Sequence, residues 1–157
     1  MQAMTVLKRC RSGKEDIRRL NLRIRQRREA MSSIGGMRMD PNGGSKGTAD
    51  PDKYGRMEAE IDVLERQKAE REDARRAEIN SALILLEELD ELESEILHRY
   101  YLMGDILAEI SRTKNYDESY IRKKKKSGED AMRRIPPERV AETLPVWYLK
   151  KWEEAER

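Results

Sequence analysis

Apolar residues along this chain recur at helical spacing and not at the alternation of a strand. Ile17, Leu20, Ile24 and Met31 fall on one stripe, with basic residues filling most positions between them. That pattern predicts an amphipathic helix over roughly residues 5–31. The spacing returns at Tyr54, Met57, Ile61 and Leu64, lapses into charge at Lys68, Arg71 and Arg75, and resumes at Ala82, Leu85, Leu89 and Leu92. A three-four alternation kept over that length is a heptad seam with a polar middle, and predicts a coiled-coil helix. Asp50 and Pro51 stand where a cap and an early helical proline belong, so this helix is expected to run from about residue 51 to about residue 90. Between the two helices lie Gly35, Gly36, Pro41, Gly43, Gly44, Gly47 and Pro51. No helix or strand interior tolerates that density of breakers, and residues 32–53 read as a flexible linker.

After Leu92 the faces shorten. Ile96, Leu97, Tyr100 and Tyr101 form one, Ile106, Leu107 and Ile110 a second beyond Gly104, and a third begins at Tyr120 and Ile121. The stretch from Thr113 to Asp117 separates the second from the third, with Asp117 a good N-cap for the helix that follows. Two short helices, a tight turn and a third helix with a basic outer face predict a helix-turn-helix over residues 93–135. Pro136 and Pro137 open a tail, residues 136–157, in which Leu144, Tyr148 and Trp152 recur every four positions with Trp147 alongside. It reads as a short helix begun at Pro145 that either folds back onto a thin core or anchors another protein. The predicted architecture is all-α: a basic helix (1–31), a linker (32–53) and an acidic heptad helix (54–92) forming a long antiparallel coiled-coil hairpin, followed by the C-terminal helix-turn-helix.

Charge supports the hairpin. The net value of +2 hides ten basic against three acidic residues in 1–31, and six against fourteen in 54–95. Helices of opposite sign suit each other as neighbours in one chain, and pairing between protomers is the alternative; the basic residues of the first helix then serve the acidic second helix more readily than DNA. A hydrophobic share of 37 %, no Phe and 41 % charged residues leave material for narrow seams and little for a thick core, so a homo-oligomer is expected. Cys10, with no second cysteine or ligand nearby, reads as an ordinary thiol, and the sequence carries no apolar leader or membrane-length run. A cytoplasmic protein without membrane contact is expected.

Rotation by 100° per residue places Lys125, Gly128 and Met132 on the side of Ile121, and Ser119, Arg122, Lys123 and Lys126 on the other. Ser119, Arg122, Lys123 and Lys126 are therefore the candidate DNA-binding residues. Arg122 can fork onto guanine, the two lysines can neutralise phosphates, and Ser119 can bond a phosphate oxygen. Taken without its setting, the Lys123–Lys126 run would serve equally well as a solvated helix face. Lys124 and Lys125 flank the inner face and would have to snorkel. Gly128 either permits a close helix approach or ends the helix. His98 and the two neighbouring tyrosines, Tyr100 and Tyr101, read as surface and core packing respectively.

Glu95, Leu97, Arg99 and Tyr100, then Glu109, Ile110 and Ser111, then Asn115, Tyr116 and Asp117, and finally Ile121 follow one another within residues 89–135. With these residues the stretch resembles the helix-turn-helix of region four of bacterial sigma factors, and more closely the sigma-like phage regulators of the ArpU and RinA type. Asp117 stands where Ser or Thr is usual, and Gly128 with Glu129 where Ala-Leu is preferred. The order of basic helix, Gly-rich loop and acidic helix is similar to that family too. The resemblance implies a sequence-specific transcriptional regulator, an activator of phage late genes in a bacterial host, with double-stranded DNA and host RNA polymerase as partners. A phage small terminase subunit that recognises packaging-start DNA, and a coiled-coil adaptor without nucleic-acid binding, are the alternatives. No CxxC pair, metal-spaced histidines, nucleophile elbow or phosphate-cradling loop is present in the sequence, so neither an enzyme nor a bound cofactor is expected.

Overall fold

The computed structural model describes the backbone of residues 1–37 and 51–157, with side chains for 1–33 and 52–157. Among the described residues every regular element is helical: α1 (Ala3–Met37), α2 (Pro51–Leu86), α3 (Glu91–Leu97), α4 (Leu107–Lys114), α5 (Glu118–Arg133), α6 (Pro137–Glu142) and α7 (Val146–Glu156). A π-helical segment, His98–Met103, continues α3. No helix among the described residues is long and apolar enough to cross a membrane.

Two compact units divide the chain, one made of residues 15–72 and the other of 1–14 together with 73–157. In the first, α1 and α2 form an antiparallel pair: Arg71 bonds Asp16 at 3.3 Å, Arg27 bonds Glu60 at 3.2 Å and Arg28 bonds Glu65, so one helix number rises as the other falls. These bridges join the basic helix to the acidic one, as the charge segregation predicts. Ile24 and Ile61 are its buried apolar side chains among the described residues, with Leu20, Met31, Met57 and Leu64 half-covered beside them. The polar middle of the seam is satisfied by charge, since the Arg71 side chain is only 14 % exposed while paired to Asp16.

Two expected helix ends move. α1 extends to Met37, while α2 begins at Pro51 where its proline predicts, so the edges of the 32–53 linker are helical; residues 38–50 and the Asp50 cap lie outside the described residues. α2 stops at Leu86 and not near residue 90 or 92, because Glu88 and Leu89 close a turn onto Leu85 and Leu86. Asp90 then starts α3, its carboxylate accepting the Glu93 amide at 3.0 Å. That is a capping interaction and satisfies a helix N–H that would otherwise lack a partner.

The other unit has the thicker core. Ala3, Met4, Val6, Leu7 and Cys10 of α1 are buried against Ala77, Ala82, Leu85 and Leu86 of α2, Leu97, Tyr101, Met132, Ile135 and Val140, and Leu144 and Tyr148 of the tail. The tail therefore folds back onto the core. A second small cluster contains one isoleucine from each of three helices, Ile96 of α3, Ile110 of α4 and Ile121 of α5. Each is fully buried, so together they set the positions of α4 and α5 on α3.

Candidate nucleic-acid interface

The turn between α4 and α5 is short and tightly held. Asn115 adopts the left-handed conformation (φ 57°) that ends α4, and its amide bonds the Ser111 carbonyl. Asn tolerates that conformation better than most residues, which explains why it stands there. The Tyr116 amide also bonds the Ser111 carbonyl, at 3.2 Å, while the Ser111 hydroxyl donates to the Tyr116 carbonyl. Asp117 occupies the extended position ahead of α5 as expected, but its side chain makes no capping hydrogen bond.

α5 lies against both α3 and α4. Gly128 makes the approach to α3 possible: a Cβ there would sit 3.0 Å from Leu97 Cδ1 and 3.3 Å from Glu93 Cβ. Close packing, and not termination, is thus the role of that glycine, and α5 continues past it to Arg133. Ser127 donates to Glu93 at 2.6 Å and Lys124 reaches toward Asp90 at 4.0 Å, tying the same two helices along one edge. Accepting the Glu93 amide holds the Asp90 carboxyl below its ordinary range, with Lys124 adding a smaller pull in the same direction. Lys114 bonds Glu95, and Arg99 of the π-helical segment bonds Asp105 at 2.9 Å and Thr113, so α4 is fastened to α3 as well.

With Ile121, Gly128 and Met132 turned inward, all four predicted residues, Ser119, Arg122, Lys123 and Lys126, are exposed on the opposite side. Lys123 and Lys126 have no ion-pair partner among the described residues, whereas Arg122 bonds Glu118 one turn earlier at 3.0 Å. Both ends of that pair are largely exposed, and such pairs are worth at most about 1 kcal/mol, so Arg122 can exchange Glu118 for an anion at little cost. Lys125 is mostly covered by protein. Its side chain is 18 % exposed, bonded to Glu129 at 2.6 Å and seated 4.4 Å from the Tyr100 ring. Burial, then Glu129, pushes the Tyr101 phenol beside it up to about 12. Arg11 stacks 3.9 Å from the Tyr100 ring and donates to the Tyr100 carbonyl at 2.8 Å, which brings the start of α1 into the support of α5.

Two residues assigned to buried faces lie outside. Ile106 is 55 % exposed because it caps α4 in an extended conformation ahead of the first turn. Tyr120 is 40 % exposed, since one step from Ile121 is already a quarter turn away from the core. It meets Tyr116, 45 % exposed, with ring centroids 5.1 Å apart. The same rotation of 100° per residue that sets Lys123 opposite Ile121 contains this signal. Among the described residues no group of three or more His, Cys, Asp or Glu side chains is placed to hold a metal ion. What the site offers chemically is a helix with a hydroxyl, a guanidinium, two ammonium groups that form no ion pair among the described residues, and two phenols facing solvent. No protein-family model, no curated protein and no solved structure matches the chain.

Proposed function

We propose that this protein is a sequence-specific DNA-binding transcriptional regulator without enzymatic activity, in which α4, the turn and α5 act as a sigma-like helix-turn-helix and α5 enters the major groove. The observation that carries this reading is the division of α5 into a buried side, Ile121, Gly128 and Met132, and an exposed side bearing Ser119, Arg122, Lys123 and Lys126. A helix held by one face and cationic on the other suits a polyanionic groove about 12 Å wide, and Lys123 and Lys126, without an ion-pair partner among the described residues, have phosphate as their natural ligand. Activation of phage late genes in a bacterial cytoplasm, with host RNA polymerase as partner, follows from the resemblance of residues 89–135 to the ArpU and RinA regulators. A homo-oligomer would place two such helices on two half-sites.

Fluorescence anisotropy on duplex DNA over a range of salt tests the reading. Arg122→Ala, Lys123→Ala and Lys126→Ala together are expected to weaken binding more than tenfold. The same triple variant should make the log-log salt dependence shallower by about 2, one step of roughly 0.9 for each lysine-phosphate contact. Equal binding by a folded triple variant removes the assigned face. Rings of eight or more chains by mass measurement, with footprints confined to packaging-start DNA, would replace transcription with packaging.

A further inference from the structure

We propose that the Tyr116–Tyr120 pair is the part of this interface that recognises thymine, its rings packing on the 5-methyl groups that line the major groove; the inference rests on the DNA-binding reading above. Cations and hydroxyls on α5 can find phosphates and guanine, yet nothing in that set distinguishes thymine by its methyl, which calls for an apolar contact. The two tyrosines supply one at the right place. Tyr120 stands one turn ahead of Lys123 and Lys124 on α5, with the Lys124 ammonium 6.0 Å from its ring, and Tyr116 stands in the turn just before the helix.

A single exposed tyrosine would need no explanation. Here two are exposed at 45 % and 40 %, in mutual contact at 5.1 Å and a tilt of 43°. Their backbone is fixed by the left-handed Asn115 and by both hydrogen bonds between Ser111 and Tyr116. Tyrosine has only two side-chain torsions, so a pair held this way loses little freedom on binding. Neighbouring Arg122, Lys123 and Lys126 favour a polyanion over an apolar protein surface as the occupant. Uracil lacks the methyl, so the same contact would favour DNA over RNA of equal sequence.

The probe is a set of 30-base-pair duplexes recovered from a randomised library by the intact protein, then remade with deoxyuridine in place of every thymidine. Wild-type binding should weaken about fourfold for each contacted methyl that is removed, roughly fifteenfold for two. In Tyr116→Ala/Tyr120→Ala, which alters exposed side chains, that penalty should fall to twofold or less while thermal unfolding stays unchanged. Tyr120→Phe should keep the penalty, because the ring and not the hydroxyl touches the methyl. An undiminished penalty in the double alanine variant overturns the proposal, as does loss of the penalty in Tyr120→Phe. Absence of any DNA binding by the wild-type chain at low salt is a different result: it removes the DNA-binding reading itself.

Discussion

In residues 15–72 charged side chains pair across two helices, largely exposed at Arg27–Glu60 and Arg28–Glu65 and partly covered at Arg71–Asp16, while Ile24 and Ile61 supply the buried apolar contacts among the described residues. In the unit formed by 1–14 and 73–157, Glu78 is fully buried. It accepts from Arg9 at 2.7 Å and from the Tyr148 hydroxyl at 2.6 Å, and Arg9 also bonds that hydroxyl at 2.9 Å. The Arg9 guanidinium lies 5.2 Å from the Trp152 ring, so a buried acid of α2 gathers both α1 and the aromatic tail. The same residue types do three jobs in one chain. Surface pairs match two helices by charge, a buried acid fastens a tail, and the ammonium groups of α5 that neither job uses remain open to a partner. Separating the first two from the third is what makes the cationic strip informative, since a basic run by itself is compatible with a solvated face.

Glu78→Ala should strike hardest. Breaking a buried pair by removing one partner typically costs 3–5 kcal/mol, and because Arg9 keeps some access to water the lower end, about 3 kcal/mol, is expected here. For a chain of this size that is a fall of roughly 6–12 °C in melting temperature, accompanied by a change in tryptophan emission as Arg9 and Trp152 separate. A loss below about 1 kcal/mol would show that the apolar contacts of Leu144 and Tyr148 hold α7 without the acid.

How much of this is legible from residue order depends on whether position or depth is asked for. The heptad spacing picks out the residues that face inward along α2, including Ile61, Arg71, Ala82 and Leu85, because helical rotation is a local property. It misplaces the end of α2, since Leu89 and Leu92 continue the heptad across a turn. The sequence does hold the stop signal: Asp90 followed by Glu93 is a capping pattern, and the Asp90 carboxylate bonds the Glu93 amide. The hydrophobic start of α1 is the larger omission. Ala3, Val6, Leu7 and Cys10 do keep the i, i+3, i+4, i+7 spacing of a helix face, but they lie ahead of the stripe read from Ile17 onward, and their depth depends on α2, α6 and α7 arriving from distant parts of the chain. The four exposed residues of α5 were legible for the opposite reason, because the geometry that exposes them is confined to that one helix. The Tyr116–Tyr120 contact needs the turn as well as the helix, and a rotation count stops at the helix.

Alkaline pH acts on the thicker unit in a way that can be signed. Burial first, then Glu129, raises the Tyr101 phenol from 10.0 to about 12, and burial followed by Glu78 raises Tyr148 as well. A folded state that holds its proton more tightly keeps this stabilisation intact below the unfolded value near 10 and loses it as pH climbs through the folded one. Stability should therefore fall between pH 10 and 12, by about 1.4 kcal/mol per pH unit for each phenol involved. Tyr101→Phe should make the decline shallower in chemical denaturation at stepped pH. An unchanged slope would mean that other groups, and not this buried phenol, carry the alkaline sensitivity.

The smallest effect is the most useful one for dividing the cations. Arg27 faces Glu60 and Arg28 faces Glu65, with all four side chains close to half exposed or more. Pairs of that kind contribute about 0.5 kcal/mol each, so Arg27→Ala/Arg28→Ala, at about 1 kcal/mol for the two, should leave the melting temperature within about 4 °C of wild type. The reason to make the variant is its salt dependence on DNA. If these arginines are occupied by the acidic helix, their loss leaves the log-log slope where it was, while Lys123→Ala/Lys126→Ala lowers it by about 2. A slope that drops equally in both variants would extend the phosphate-binding surface to α1, and the distinction between charges that match helices and charges that meet a partner would no longer hold.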